Sequence, residues 1–228
     1  IAASGPNGAI IHYRVNKNSN RNLKKNDIFL CDSGGQYKYG TTDITRTISL
    51  GNQPNEIKNI FTYVLKGHIA VANSNLNKLK SAHLIDSLAR KYLKKKGLDF
   101  PHGTGHGVGY FLNVHEGPIA ISKGYKIKLK PGHVISNEPG FYKKGKFGIR
   151  IENMIYVKQI KSKVFFENLT MVPIDKELIN FNLLNKKEKN YLLNYNLRIY
   201  LNLEKYLNYK EKFWLLSQFW NFFKIILV

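Results

Sequence analysis

Apolar residues recur at spacings of three and four in two segments of the chain. Six of them lie between Ile57 and Ile69, just after Pro54. This spacing is typical of an amphipathic helix and predicts one over about 54–73. A second segment of this kind runs from Ser81, a common N-cap residue, to Gly97, a common helix stop. We therefore predict two amphipathic helices in the first half of the chain.

Short apolar runs bounded by turn residues indicate β-strands. Residues 28–31 are apolar and run into Asp32 and a Ser-Gly-Gly turn, and residues 41–50 are rich in Thr and Ile. These two runs predict a hairpin that turns through residues 36–40. Further strands are predicted at 9–11, 133–136 and 147–157. Helices and strands together predict a mixed α+β domain over residues 1–175.

Beyond Asp175 the composition changes, and Leu, Asn, Tyr and Lys become the dominant residues. A helix is predicted from about residue 186. The last segment, 213–228, is mostly apolar, and its polar residues share one helical face. We expect this apolar tail to pack on the domain or on a second subunit, with membrane-surface association as the alternative. Residues 176–228 are thus predicted to form a helical C-terminal extension.

Composition narrows the function classes. The chain has 228 residues, 43% of them hydrophobic, which excludes wholesale disorder. Its formal charge is +21, but the lysines are scattered among asparagines, so we expect no nucleic-acid partner. Cys31 is the one cysteine, which excludes a disulfide framework and a thiolate zinc cluster and favours a cytoplasmic location. We expect neither a signal peptide nor a transmembrane span, because no leader and no run of 18 apolar residues is visible.

Four carboxylates lie in apolar or glycine-rich surroundings. Asp32 ends a strand, Asp43 lies in the partner strand, Glu138 precedes a Pro-Gly turn, and Glu152 shares a strand face with Arg150. Each has an ordinary explanation by itself, such as capping a turn or pairing with a neighbouring arginine. Together, four semi-buried carboxylates would repel one another unless cations compensate.

Divalent metal ions would compensate these carboxylates best, because two of them carry four positive charges. A histidine ligand could come from the segment HGTGHGVG, which contains His102 and His106. Its glycines argue against a helix, so both histidines need not bind one ion. Oxygen donors with one imidazole suit Mn²⁺, Co²⁺, Fe²⁺ or Zn²⁺ better than Cu⁺ or Ca²⁺.

Four segments of the sequence resemble the pita-bread metallopeptidases: FLCDSGGQYKYGTTDITRTISLG, HGTGHGVGYFLNVHEGP, ISNEPGFY and FGIRIEN. Within that group the chain is similar to aminopeptidase P, the Xaa-Pro aminopeptidases. The segments GPNGAIIHY and FTYVLKGHIAVA resemble the cytosolic eukaryotic type, and the resemblance extends over residues 1–215. It implies an α+β pita-bread fold, in which helices flank a pseudo-two-fold antiparallel sheet.

The resemblance assigns the metal ligands position by position. Asp32 resembles the bidentate ligand of one ion, and Asp43 and Glu152 resemble the bridging carboxylates. His106 and Glu138 resemble the terminal ligands of the other ion. The implied cofactor is a pair of divalent ions, Mn²⁺ first, with Co²⁺ or Zn²⁺ as alternatives.

The resemblance also implies the groups that act on the substrate. Glu138 would shuttle a proton to the leaving nitrogen, and His115 would stabilise the oxyanion of the scissile carbonyl. His12 would face the leaving amide, His102 would line the proline pocket, and Arg150 would hold the ligand cluster from behind.

Three other histidines match no catalytic position and are expected to be structural or exposed: His68, His83 and His133.

The implied reaction is hydrolysis of the first peptide bond of peptides with proline at the second position, through a metal-bridging hydroxide. A homodimer is also implied. Alternatives are a prolidase, a methionine aminopeptidase and a non-catalytic pita-bread binding module. The chain departs from the family in two respects. It starts within the catalytic domain, so activity is not expected from these 228 residues alone. Its tail is also far more apolar than the family's usual end.

Overall fold

The computed structural model describes the backbone of residues 1–79, 81–111 and 113–226, and side chains as far as Gln218. The strands in these ranges are β1 Ala2–Ser4, β2 Ile28–Tyr37, β3 Gly40–Ser49, β4 Gly105–His106, β5 Ala120–Ile121, β6 Val134–Asn137, β7 Gly140–Lys143, β8 Phe147–Arg150, β9 Asn153–Ile160 and β10 Lys163–Asn168. The helices are α1 Asn55–Ala72, α2 Ala82–Lys94, α3 Lys186–Leu203 and α4 Tyr209–Ile226.

The strands form small antiparallel sheets. One has the order β1–β2–β3, another the order β10–β9–β6, and the remaining pairs are β4–β5 and β7–β8. A single backbone bridge between Gly107 and Ile135 joins the end of β4 to β6. Through this bridge the β4–β5 pair, which carries His106, joins the β10–β9–β6 sheet.

The predicted hairpin of β2 and β3 is confirmed, although β2 continues past Asp32 as far as Tyr37. The register sets Asp32 opposite Thr45 and Gly34 opposite Asp43. Opposed residues of an antiparallel pair point to the same face, as do residues two apart on a strand. Both aspartates therefore lie on one face of the hairpin.

Both predicted helices of the first half are confirmed as α1 and α2. They pack closely at Gly67, where a Cβ atom would overlap the carbonyl oxygen of Ala89. Their apolar sides join one hydrophobic core with β6, β8 and β9. The side chains of Phe61, Leu65 and Ile85 are completely buried there.

Two strand predictions need correction. Residues 147–157 do not form one strand but divide into β8 and β9, which belong to different sheets. The break falls at Ile151 and Glu152, whose N–H groups donate to the carbonyls of Pro139 and Thr45. The strand predicted at 9–11 is wrong: the strand lies at Ala2–Ser4, and a 3-10 helix with proline at its start occupies Gly5–Ala9.

The helix predicted from 186 is confirmed as α3, which begins at a capping box between Asn185 and Glu188. Of the predicted apolar tail, the described part has Phe213 and Trp214 exposed and Leu215 buried. The side chains from residue 219 onward lie outside the described part, and so do their contacts. None of the helices described here has the length and apolar character needed to cross a bilayer.

Candidate metal centre

A cleft of about 770 Å³ opens where the β2–β3 hairpin meets β4 and the loops that join β6 to β7 and β8 to β9. All nine residues singled out by the sequence line it: His12, Asp32, Asp43, His102, His106, His115, Glu138, Arg150 and Glu152. Apolar and small side chains, Ile11 and Ala120 among them, complete the wall. Residues spread over 140 positions of sequence thus share one concave site.

Three of the predicted ligands converge most tightly. One donor atom from each of Asp43, His106 and Glu152 lies within 4.8 Å of the other two. Nε2 of His106 is 3.5 Å from Oδ2 of Asp43 and 3.4 Å from Oε1 of Glu138. An imidazole nitrogen facing carboxylate oxygens at these separations is the arrangement in which one divalent cation can contact all of them.

Local structure holds His106 and Glu138 in place. The N–H of His106 donates to Oγ of Ser136, which in turn donates to Oε1 of Glu138. The N–H of Glu138 donates to the carbonyl of Thr104, 2.8 Å away. Gly105 is required here because a Cβ atom would overlap the carbonyl oxygen of Ser136. Gly105 of the HGTGH segment therefore allows β4 to approach β6 closely.

Arg150 organises the other side of the cleft. It is 2% exposed, and its Nη2 donates to Oδ2 of Asp32 at 2.6 Å. Its Nη1 donates to the hydroxyl of Tyr142 at 2.7 Å, and its Nε to Oγ1 of Thr45 at 3.0 Å. The ordinary pairing of Arg150 with Glu152 along one strand does not occur. Instead, Thr45 donates to Oε2 of Glu152 at 2.6 Å.

The described residues around the cleft supply too little positive charge to balance these carboxylates. Burial raises the pKa of Glu138 to about 7. Burial also raises the pKa of Glu152 well above its usual range, and the negative charges of Glu138 and Asp43 raise it further. Burial lowers the pKa of His106, but the hydrogen bond with Asp43 and the charge of Glu138 outweigh it, so the net shift is upward. A buried group of carboxylates and imidazole with these shifts fits a divalent cation, which would remove the repulsion.

The remaining histidines of the cleft are held differently. The ring of His115 lies 4.1 Å from that of His106, and burial followed by the charge of His106 lowers the pKa of His115. Nε2 of His102 is 2.8 Å from the Tyr142 hydroxyl, and burial lowers the pKa of His102 to about 4. His102 is therefore neutral at physiological pH. His12 reaches the same cleft from the loop after the first 3-10 helix.

Sequence reasoning missed two residues of this site, Tyr142 and Thr45. Tyr142 joins His102 to Arg150 through its hydroxyl, and Thr45 joins Arg150 to Glu152. Both carried a signal. Tyr142 lies four residues after Glu138 in the NEPGFY segment, and Thr45 lies on the same face of β3 as Asp43.

The three histidines expected to be structural or exposed do not line the cleft. His68 on α1 is completely buried, whereas His83 and His133 are partly exposed.

The chain matches two family models. The model of metallopeptidase family M24 matches residues 1–159, and that of the C-terminal region of peptidase M24 matches residues 164–219. Among curated proteins, the probable Xaa-Pro aminopeptidase P of Laccaria bicolor is 47% identical over 207 residues, which are 86% of this chain and 32% of that protein. That of Talaromyces marneffei is 45% identical over 222 residues, 92% of this chain and 34% of that protein. The chain thus spans about a third of the length of these relatives.

Solved structures agree. The X-prolyl aminopeptidase of Caenorhabditis elegans, described as a cytosolic enzyme with a di-nuclear active site, is 40% identical with a TM-score of 0.88; the match covers 96% of this chain and 37% of that one. The prolidase of Thermococcus sibiricus is 38% identical with a TM-score of 0.65, over 78% of this chain and 46% of that one. The pita-bread fold implied by the sequence is confirmed by these neighbours.

Proposed function

The chain belongs to metallopeptidase family M24, and from this premise we propose that it forms the catalytic part of an Xaa-Pro aminopeptidase. The substrates would be peptides with proline in the second position, from which the first residue is released. The observation that carries the proposal is the convergence of all nine predicted site residues on one cleft. The names of the relatives support the same reaction.

The proposed cofactor is a pair of divalent metal ions, Mn²⁺ first. Asp32 and the cluster of Asp43, His106, Glu138 and Glu152 would hold them. When bound, such ions supply an activated water as the nucleophile and polarise the scissile carbonyl. The di-nuclear site of the Caenorhabditis elegans enzyme and the donor set of the cleft support this part of the proposal.

The remaining steps belong to side chains of this chain. Glu138 would take the proton of the attacking water and pass it to the leaving nitrogen, a role that its position beside His106 and Ser136 suits. His115 would donate a hydrogen bond to the carbonyl oxygen as negative charge develops there. Neutral His102, which contacts the Tyr142 hydroxyl, would line the proline pocket, and His12 would face the leaving amide.

Arg150 would act through Asp32. Its guanidinium is buried and makes an ion pair with that carboxylate, so it fixes the carboxylate's direction.

We extend the proposal to three properties of the whole protein. Residues 1–175 would form the partial catalytic domain and residues 176–228 a helical extension. The protein would work as a homodimer, as the resemblance implies. A cytoplasmic location is supported by the cytosolic description of the Caenorhabditis elegans enzyme.

The test uses the full natural chain, stripped of metal and resupplied with Mn²⁺. Release of the first residue is followed from an Xaa-Pro-Pro peptide, an Xaa-Pro dipeptide and a Met-Ala peptide. The proposal predicts Mn²⁺-dependent cleavage of the Xaa-Pro-Pro peptide, loss of that cleavage in Asp43→Asn, and normal cleavage in the control Asp27→Asn. Asp27 pairs with Arg21 and does not line the cleft.

Other outcomes identify the alternatives. Cleavage of the dipeptide alone would indicate a prolidase, and cleavage of Met-Ala alone a methionine aminopeptidase. Metal binding without any cleavage would indicate a binding module.

A further inference from the structure

The side chain of Arg46 lies behind the candidate metal centre, on the face of β3 that points away from Asp43 and Thr45. It is 6% exposed, yet no described carboxylate forms an ion pair with it. Six neutral oxygen atoms surround its five N–H groups instead. A buried guanidinium surrounded in this way is held in one orientation, because turning it would leave desolvated N–H groups without acceptors.

Half of these contacts reach the strands that carry the proposed ligands. Nη1 of Arg46 donates to the carbonyl of Glu152 at 2.6 Å and to that of Thr45 at 2.9 Å. Nη2 donates to Oδ1 of Asn153 at 2.8 Å. Arg46 therefore clamps the backbone at the point where β8 ends and β9 begins, and Glu152 stands at that break.

The other half of the contacts come from the C-terminal part of the chain. Nε of Arg46 donates to the carbonyl of Pro173 at 2.9 Å, and Nη2 donates to that of Val172 at 2.7 Å. Nη2 also donates to the hydroxyl of Tyr195 on α3 at 3.1 Å. Tyr195 is 5% exposed, and its hydroxyl donates in turn to the carbonyl of Val172 at 2.9 Å.

The hydroxyl of Tyr195 thus closes a ring of contacts: it accepts from Arg46 and donates to a carbonyl that Arg46 also binds. Without it, the two N–H groups of Nη2 keep Asn153 and Val172 as acceptors but lose the third that holds them in place, and the carbonyl of Val172 loses a donor.

We propose that Tyr195 is a positioning residue of the metal centre, which acts through Arg46 on the backbone of Glu152. The C-terminal helices would then serve the chemistry and not only stability. This inference rests on the proposed metal site. None of the described residues after 164 lines the cleft. The inference therefore gives this region an indirect role in the metal site, through Arg46.

The neighbouring Tyr191 provides a matched control. It lies one helical turn before Tyr195, and the two rings are stacked at 6.3 Å. Its hydroxyl accepts from the amide of Asn168, not from Arg46. Tyr→Phe at either position removes one hydroxyl from the same helix, and only the change at position 195 removes a contact of Arg46.

The experiment compares wild type, Tyr195→Phe and Tyr191→Phe in the full natural chain. Binding of Mn²⁺ is measured by calorimetry, and the site geometry by the d–d absorption of the Co²⁺ form. Thermal unfolding of the metal-free proteins reports general loosening. Removal of a direct partner of a ligand typically costs 10- to 100-fold in affinity, and Tyr195 acts one contact further out. We therefore expect about a 3- to 10-fold weaker affinity and an altered Co²⁺ spectrum for Tyr195→Phe.

The expected result has a second half: Tyr191→Phe keeps the wild-type affinity and spectrum even if its melting temperature falls equally. Equal metal binding in wild type and Tyr195→Phe would overturn the inference, and so would equal losses in both variants. A wild-type protein that binds no metal would instead count against the proposed function itself, so the two failures are distinct.

Discussion

His68 makes the folded state sensitive to acid. Its ring on α1 is completely buried, and its polar neighbours are backbone groups of Asn137 and Ile151. Burial, followed by the positive charge of Arg46, lowers the pKa of His68 to about 3. In the unfolded chain the imidazole has its ordinary pKa of about 6.5. Below that pH the unfolded state binds a proton that the folded state rejects, so stability falls as pH falls from about 6.5 towards 3.

The magnitude follows from this difference. At pH 5 the folded state is still unprotonated, and the unfolded state lies about 1.5 pH units below its pKa. At about 1.4 kcal/mol per unit, His68 alone removes about 2 kcal/mol of unfolding free energy between pH 7.5 and pH 5. This value does not depend on the folded pKa as long as that pKa stays below about 4. The full loss, below pH 3, is about 5 kcal/mol.

The assay is urea unfolding of the full natural chain at pH 7.5 and pH 5, for wild type and His68→Gln. The variant should be less stable at pH 7.5, but its further loss at pH 5 should be smaller than that of wild type by about 2 kcal/mol. His83→Gln, which removes a partly exposed histidine, should keep the wild-type difference. An unchanged pH dependence in His68→Gln, or a His68 ring that titrates near pH 6.5 by NMR, would refute the reasoning.

Three further predictions concern the cleft. Binding of Mn²⁺ at pH 7 should release protons, because the raised pKa values leave protons on the ligands that a cation displaces. Calorimetry in buffers of different ionisation enthalpy measures the number of protons released, and Glu138→Gln should release fewer protons than wild type. Gly105→Ala should lower the unfolding free energy by about 1–3 kcal/mol and weaken Mn²⁺ binding, since the new methyl group overlaps a carbonyl of β6. The control Gly40→Ala, at a position with open space, should bind Mn²⁺ normally in the same titration. Arg150→Gln should reduce kcat/KM for an Xaa-Pro-Pro peptide by about 10- to 100-fold, because the carboxylate that it pairs with loses its cation; a change below threefold would contradict the role given to Arg150.

Tertiary structure explains why some sequence predictions were wrong. A single strand over 147–157 satisfied the alternation of apolar residues, but the strand breaks at Ile151 and Glu152, whose N–H groups donate to the carbonyls of Pro139 and Thr45. Alternation along a segment contains no information about partners a hundred residues away. The same reason hid the pairing of Arg150 with Asp32, which lie 118 positions apart.

The sequence by itself determined the local elements and the candidate ligands. Helices α1 and α2 followed from periodicity and end signals, since their hydrogen bonds close within four residues. The nine candidate residues were assigned through the resemblance of sequence motifs to a known family, and all nine line one cleft.

Tertiary structure alone decided which groups touch: the bridge of Tyr142 between His102 and Arg150, and the ring of contacts joining Tyr195 to Arg46. Hydrogen-bond geometry and burial depend on how distant segments pack, and no local pattern in the chain specifies that packing.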